Sequence, residues 1–278
     1  MDFAETEDQK MIRGMVREFA EDVAGPTCNK RDKEQIAPIE EFKKFAELGF
    51  AGMTIPEKYG GQKLDDISEA IVIEELSRVD PSLGVMIAVH VGLCSMTIAL
   101  SGNEEQKEKY LPKLASGEFL GAYSLSEAGS GTDAAAMVAR ATDDGEHYTL
   151  NGEKMWVTNG TTADIFVLFA KVTNHPDYGK KSHGGVTCFI IEKGFEGFEI
   201  GKKEDKLGIR SSDTCTLILN ECKVPKANVL GEVGKGFPIA MNALDNSRIG
   251  IAAQGLGIAQ GAYEAALKYS KERETFGK

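Results

Sequence analysis

No CxxC pair, no Cys/His cluster and no basic stripe occurs in this sequence of 278 residues, and each absence closes a class of function. The five cysteines (Cys28, Cys94, Cys188, Cys215 and Cys222) are odd in number and scattered, which favours reduced structural thiols over disulfides or a zinc site. A formal charge of −11 without clustered Lys/Arg argues against nucleic-acid binding, and the acidity by itself identifies no partner. The N-terminal segment is acidic and has no apolar h-region, so it reads as neither a signal peptide nor an Arg/Ser-rich transit peptide. No apolar run approaches bilayer-spanning length on this reading. A cytoplasmic location is the default; a mitochondrial matrix protein freed of its presequence would read the same way. Internal repeats and low-complexity linkers are also lacking.

With 42% hydrophobic and 27% charged residues the composition is that of an ordinary globular protein, long enough for more than one domain. Periodicity divides the chain in three. Residues 1–117 read as a helical domain. Thr6 and Gln9 form a capping-box pattern, Phe42, Phe45 and Leu48 make an apolar stripe closed by Gly49, and residues 81–100 are apolar enough to be buried. Residues 118–228 carry short β-type runs, such as Ile165–Ala170 and Val186–Ile191, punctuated by Gly, Asn and Asp, and predict a small antiparallel, barrel-like β domain. In residues 229–278 helical spacing returns (Ile239, Ala243, Leu244, then Ile249, Ala253, Leu256). Its many Gly and Ala positions require tertiary contacts to hold the helix and permit close backbone packing. The predicted class is thus α+β and multidomain, ending in the first helix of a C-terminal helical bundle. That helix, taken alone, would expose a large apolar face.

Two stretches carry the chemistry. Tyr123–Asp133 (YSLSEAGSGTD) combines hydroxyls with Gly129 and Gly131, which let backbone approach a ligand. Lys154–Gly160 (KMWVTNG) reads as a strand opening after an Asn151-Gly152 hairpin turn, so that Trp156 and Thr158 project from one face. An indole to stack and a hydroxyl to bond a ring nitrogen suit a planar heterocycle such as a flavin. Taken singly, a Ser/Gly run is usually a plain surface loop, and a strand Trp is usually a core residue.

Together these stretches resemble the two signature regions of the acyl-CoA dehydrogenase family. Lys202–Arg210 (KKEDKLGIR), Leu244–Gly250 (LDNSRIG) and Arg273–Gly277 (RETFG) follow in the family's order and look most like its short-chain, butyryl-CoA branch. The resemblance implies an FAD-dependent oxidoreductase that forms enoyl-CoA. A carboxylate takes the α proton, preorganised donors polarise the thioester carbonyl, and the β hydrogen leaves to the flavin as hydride. It places Tyr123, Leu125, Ser126, Thr132, Trp156, Val157 and Thr158 at the flavin. Arg273 and Thr275 fall at the cofactor's diphosphate or adenosine from a neighbouring subunit. Thr132, Asp245, Asn246, Ser247 and Arg248 fall at the substrate, and Ser182 near the CoA phosphates. The partners it implies are an electron-transferring flavoprotein and further copies in a homotetramer; no metal is implied.

The catalytic base is left open. Most of the family carries it as a Glu in a further C-terminal helical region, expected beyond residue 278. A minority place a Glu where this chain has Ser247, which cannot act as a carboxylate base. Glu127 and Asp133 read as structural. The alternatives are an enoyl-CoA reductase driven by a bifurcating flavoprotein, an acyl-CoA oxidase, and a non-catalytic CoA-binding or scaffold paralogue.

Overall fold

The computed structural model describes residues 4–277; Met1, Asp2 and Phe3 of the acidic N-terminal segment, and Lys278, lie outside the described residues. Helix α1 (Glu7–Phe19) starts at the predicted capping box: the Thr6 hydroxyl accepts from the Gln9 N–H, and the Gln9 side chain accepts from the Thr6 N–H. A π-type turn at Ala20–Ala24 leads into α2 (Gly25–Glu34). In α3 (Ile39–Glu47), Phe45 is fully buried between the rings of Phe19 and Phe50. Leu48, read from sequence as part of that stripe, is exposed instead, because the helix ends at Glu47 and Gly49 reverses the chain with φ +87°.

Asp80 separates α4 (Asp66–Val79) from α5 (Pro81–Ala88), accepting from the N–H groups of Ser82 and Leu83. From α5 the helix continues through a π-type stretch, Val89–Ser95, into α6 (Met96–Ser101). This run of 21 residues is long and apolar enough to cross a bilayer by length and composition, which corrects the expectation that no segment reaches that length. Most of it is buried inside the fold, where it serves as the core helix of the N-terminal layer. Helix α7 (Glu104–Ala115) closes this layer with a second capping box, Asn103 to Gln106.

The strands are β1 (Gly121–Ser124), β2 (Arg140–Asp143), β3 (His147–Thr158), β4 (Ile165–Val172), β5 (Val186–Glu192), β6 (Phe198–Lys203), β7 (Thr214–Pro225) and β8 (Val229–Leu230). They form one sheet ordered β6-β7-β3-β2-β4-β5-β8, with β1 beside β4. Pairing is mostly antiparallel, but β1 and β2 both run parallel to β4. The predicted hairpin at Asn151-Gly152 is not where the chain turns. The turn follows Asp143, where the carboxylates of Asp143 and Asp144 accept the N–H groups of Gly145, Glu146 and His147. Asn151 and Gly152 lie inside β3 at a register shift. Gly152 has φ +141°, and a Cβ there would come 2.9 Å from Ala139, so only glycine fits.

Helix α8 (Gly236–Glu272) is one unbroken element of 37 residues. Two of its glycines allow the close backbone packing that the sequence predicts, whereas a Cβ on Gly255 would meet nothing within 4 Å. A Cβ on Gly257 or Gly261 would stand 2.2 or 2.1 Å from the carbonyl oxygens of Glu74 and Arg78, so α8 lies directly against α4. Arg78 pins the contact by bonding Glu264 at 2.8 Å. The opposite face, with Ile251, Leu256, Ile258 and Tyr263, is exposed in this chain, as the composition implied.

Candidate active site

A cavity of about 520 Å³ opens where β1, the loop after it, β3, the α5–α6 run and α8 converge. One wall is polar: the hydroxyls of Ser126 and Thr132 on the loop and Thr158 on β3, with the Trp156 indole between the two segments. Trp156 is 58% exposed, an unusual state for a large aromatic on a strand. Its backbone is left-handed (φ +59°), and β3 is irregular between Lys154 and Val157. That bulge turns the indole into the cavity and sends Val157 into the core, 1% exposed. Tyr123 and Leu125 form the apolar floor, and the Tyr123 hydroxyl donates to the Ala240 carbonyl. Burial raises the Tyr123 pKa, so the phenol stays neutral. The other wall belongs to the helices: Val89 and Leu93, then Phe237, Leu244 and Arg248.

Among the described residues, the side-chain hydroxyls of Ser126, Thr132 and Thr158 have no hydrogen-bond partner, and an added Cβ at Gly129 or Gly131 would meet nothing within 4 Å. An exposed flat ring, three free hydroxyls and open backbone on one side of a cavity of ligand size match the donor set and shape that a flavin ring requires. Asp133 is the one carboxylate among the cavity-lining residues, and it is exposed. Ser247 sits behind this wall, donating to the Leu244 carbonyl and packed beside Gly92.

The remaining predicted residues are distributed elsewhere. Arg248 lines the cavity and is paired to the exposed Asp245, which does not line it. Asn246 faces a separate hollow of about 230 Å³ with Glu69, Gly92 and Met96, where burial, with Asp66 nearby, raises the Glu69 carboxyl to about 7. Ser182 lies in a third cavity of about 590 Å³ that also carries Arg140, Lys171, Lys180 and Lys181. Arg273 and Thr275 follow the far end of α8. At 1.5 Å per residue, Arg273 is roughly 37 Å along the helix from Arg248, so neither residue reaches this chain's own cavity. Val157, placed at the cofactor by resemblance, offers that site only its backbone.

Sequence reasoning missed the helix-borne apolar wall of Val89, Leu93 and Phe237, whose residues look like any other core positions. It also missed Lys154. In a regular strand Lys154 would share the face of Trp156; the bulge separates them, and Lys154 is wholly buried, bonding Glu127 at 2.7 Å.

The chain matches three family models in succession: the N-terminal domain of acyl-CoA dehydrogenase over residues 6–118, its middle domain over 122–222, and its C-terminal domain over 234–278. A short-chain specific acyl-CoA dehydrogenase of Clostridium acetobutylicum is 48% identical over 278 residues, 100% of this chain and 72% of the relative. An acryloyl-CoA reductase (NADH) of Anaerotignum propionicum is 41% identical over 280 residues, with 70% of its length covered. Among solved structures, a chain from work on the electron transferring flavoprotein of Acidaminococcus fermentans and flavin-based electron bifurcation superposes with TM-score 0.95 at 48% identity, covering 100% of this chain and 72% of that one. Butyryl-CoA dehydrogenase of Megasphaera elsdenii gives 0.94 at 42%, with the same coverage. An acyl-CoA dehydrogenase from Bacillus anthracis complexed with FAD gives 0.90 at 38%, covering 99% of this chain and 47% of that one.

Proposed function

The chain belongs to the acyl-CoA dehydrogenase family of FAD-dependent oxidoreductases, and from that premise we propose that it serves the α,β-dehydrogenation of short-chain acyl-CoA thioesters, with electrons passing to an electron-transferring flavoprotein. The observation that carries this reading is the convergence of Trp156, Thr158, Ser126 and Thr132 on one cavity whose facing wall is the Leu244–Arg248 turn of α8. FAD, when bound, supplies the hydride acceptor. The protein's part is to hold the ring by indole contact and hydroxyl bonds on one wall, and to present the thioester from the other. The apolar helix wall keeps water from the reacting carbons.

The basic cavity around Arg140, Lys180, Lys181 and Ser182 suits the phosphates of the CoA nucleotide, where Lys and Arg meet phosphate oxygens. Arg273 and Thr275, too distant for their own site, would serve the cofactor's diphosphate or adenosine in a second copy, as a homotetramer would require. We assign the proton-abstracting carboxylate to none of the described residues: Ser247 offers a hydroxyl, and Asp133 stands exposed on the cofactor-facing loop.

The test is the visible spectrum of the purified chain, loaded with FAD, before and after anaerobic butyryl-CoA. A flavin spectrum that bleaches supports dehydrogenation and shows that a carboxylate base is supplied from outside the residues assigned to the site; bound flavin that does not bleach keeps the cofactor site and removes either the base or the short-chain substrate. A chain that takes up no FAD refutes the site. A second reading, enoyl-CoA reduction driven by a flavoprotein partner, is favoured by the likeness to the acryloyl-CoA reductase. Anaerobic consumption of crotonyl-CoA only when a reduced flavoprotein partner is present would select it.

A further inference from the structure

The Lys154–Glu127 pair is the most enclosed charged contact among the described residues, with side-chain exposures of 0% and 4%. Its bonds are directional and all point at one segment. Lys154 Nζ donates to Glu127 Oε1 at 2.7 Å and to the Leu125 carbonyl at 3.0 Å. The same carboxylate accepts the Val138 N–H at 2.6 Å and the Ala139 N–H at 3.1 Å. The Glu127 carboxylate therefore ties the start of the loop between β1 and β2 to its end, and Lys154 on β3 holds that carboxylate and the Leu125 carbonyl. A backbone bond from the Met155 N–H to the Ser126 carbonyl, 2.9 Å, lies beside it. Inside the loop, Glu127 and Ser130 exchange backbone bonds, and the Ser130 hydroxyl donates to the Asp133 carbonyl.

Burying two charges gives little net stability. Apolar residues of similar volume commonly hold a fold as well or better, so the pair's distinct contribution is geometry. What it fixes is the separation between the loop that carries Ser126 and Thr132 and the strand that carries Trp156 and Thr158. We propose that Lys154 and Glu127 are positioning residues for the cofactor: the pair sets the loop and the bulged strand at the spacing at which the indole and the hydroxyls meet one ring system. Neither side chain lines the cavity. Burial pushes the Lys154 pKa below the ordinary lysine value, and the facing Glu127 carboxylate opposes that fall. The proposal rests on the FAD reading above and deepens it.

The experiment uses the cofactor-free chain and three readouts: FAD dissociation constant by flavin fluorescence, the position and fine structure of the bound flavin's visible band, and the melting temperature without cofactor. The double variant K154M/E127Q removes both charges at once, leaving no unpaired buried ion and roughly the same volume. The expected result is a cofactor-free melting temperature within a few degrees of the parent, FAD affinity at least 10-fold weaker, and a shifted or smoothed visible band. Lys154→Arg, which keeps the cation, should restore part of the affinity. Unchanged affinity and spectrum in the double variant would overturn the proposal. So would a melting temperature that collapses, since the pair would then be holding the fold. If the parent chain itself takes up no FAD, the functional reading fails first, and that outcome is distinguishable from both.

Discussion

His90 gives the sharpest test of how this fold is held together. It lies on the π-type stretch of the core helix, is wholly buried, and is bonded on both ring nitrogens. Nδ1 accepts the Gly121 N–H at 3.0 Å, and Nε2 lies 3.1 Å from the Leu114 carbonyl. One nitrogen must accept and the other donate, which only the neutral imidazole does. Burial drives its pKa from 6.5 to about 4, against the backbone bonds, which raise it. The sign follows directly: between pH 6.5 and 4 the unfolded chain holds a proton that the folded chain refuses, so the stabilisation is complete above 6.5 and is lost as pH falls through about 4. The displacement corresponds to about 3 kcal/mol. Urea unfolding at half-unit pH steps should show that loss in the parent. It should be absent from His90→Gln, whose amide offers one acceptor and one donor and cannot titrate. Carboxylates titrating in the same range are common to both proteins and cancel in the difference. Parallel profiles for the two would refute the reasoning.

Other expectations follow from buried or crowded groups. Glu69 is shifted the other way, to about 7 from 4.5, so its favourable neutral form is present below pH 4.5 and lost as pH rises through 7. Glu69→Gln should therefore raise stability at pH 8 by about 2 kcal/mol, discounted for partial exposure, with the gain vanishing near pH 4.5 in the same urea titrations. Glu75 is 1% exposed and bonded by Arg13, Arg17 and Arg78, tying α1 to α4; Glu75→Gln should cost about 2–3 kcal/mol, read from the urea midpoint. Gly257→Ala drives a methyl into the Glu74 carbonyl and should lower the melting temperature in proportion to about 2–3 kcal/mol by forcing α8 off α4. Trp156→Ala should leave stability within about 1 kcal/mol, because the indole is exposed, but weaken FAD roughly 10-fold through lost ring contact, measured by fluorescence titration.

The sequence and the structure agree where a local rule has no competitor. The capping box at Thr6 is closed as its sequence predicts, because a side chain three residues from its target has one place to go. Gly257 and Gly261 meet backbone as their spacing implied, since a long helix with that many glycines is stable only against a close neighbour. The cofactor-facing set of Ser126, Thr132, Trp156 and Thr158 was also legible, though for Trp156 and Thr158 the stated reason was incomplete. Regular alternation would have placed Lys154 in the cavity with them. Lys154 is instead buried with Glu127, and the strand can satisfy both demands only by breaking register between Lys154 and Val157 with a left-handed tryptophan. A bulge leaves no mark on hydrophobic periodicity; the turn at Asp143–His147 was lost for a related reason, because Asn151-Gly152 is the stronger hairpin signal and the long strand absorbs it with one strained glycine. The bulge falls among the cofactor-facing residues themselves. That is where a side chain must be aimed against the local pattern, and where a buried ion pair replaces apolar packing to hold the aim.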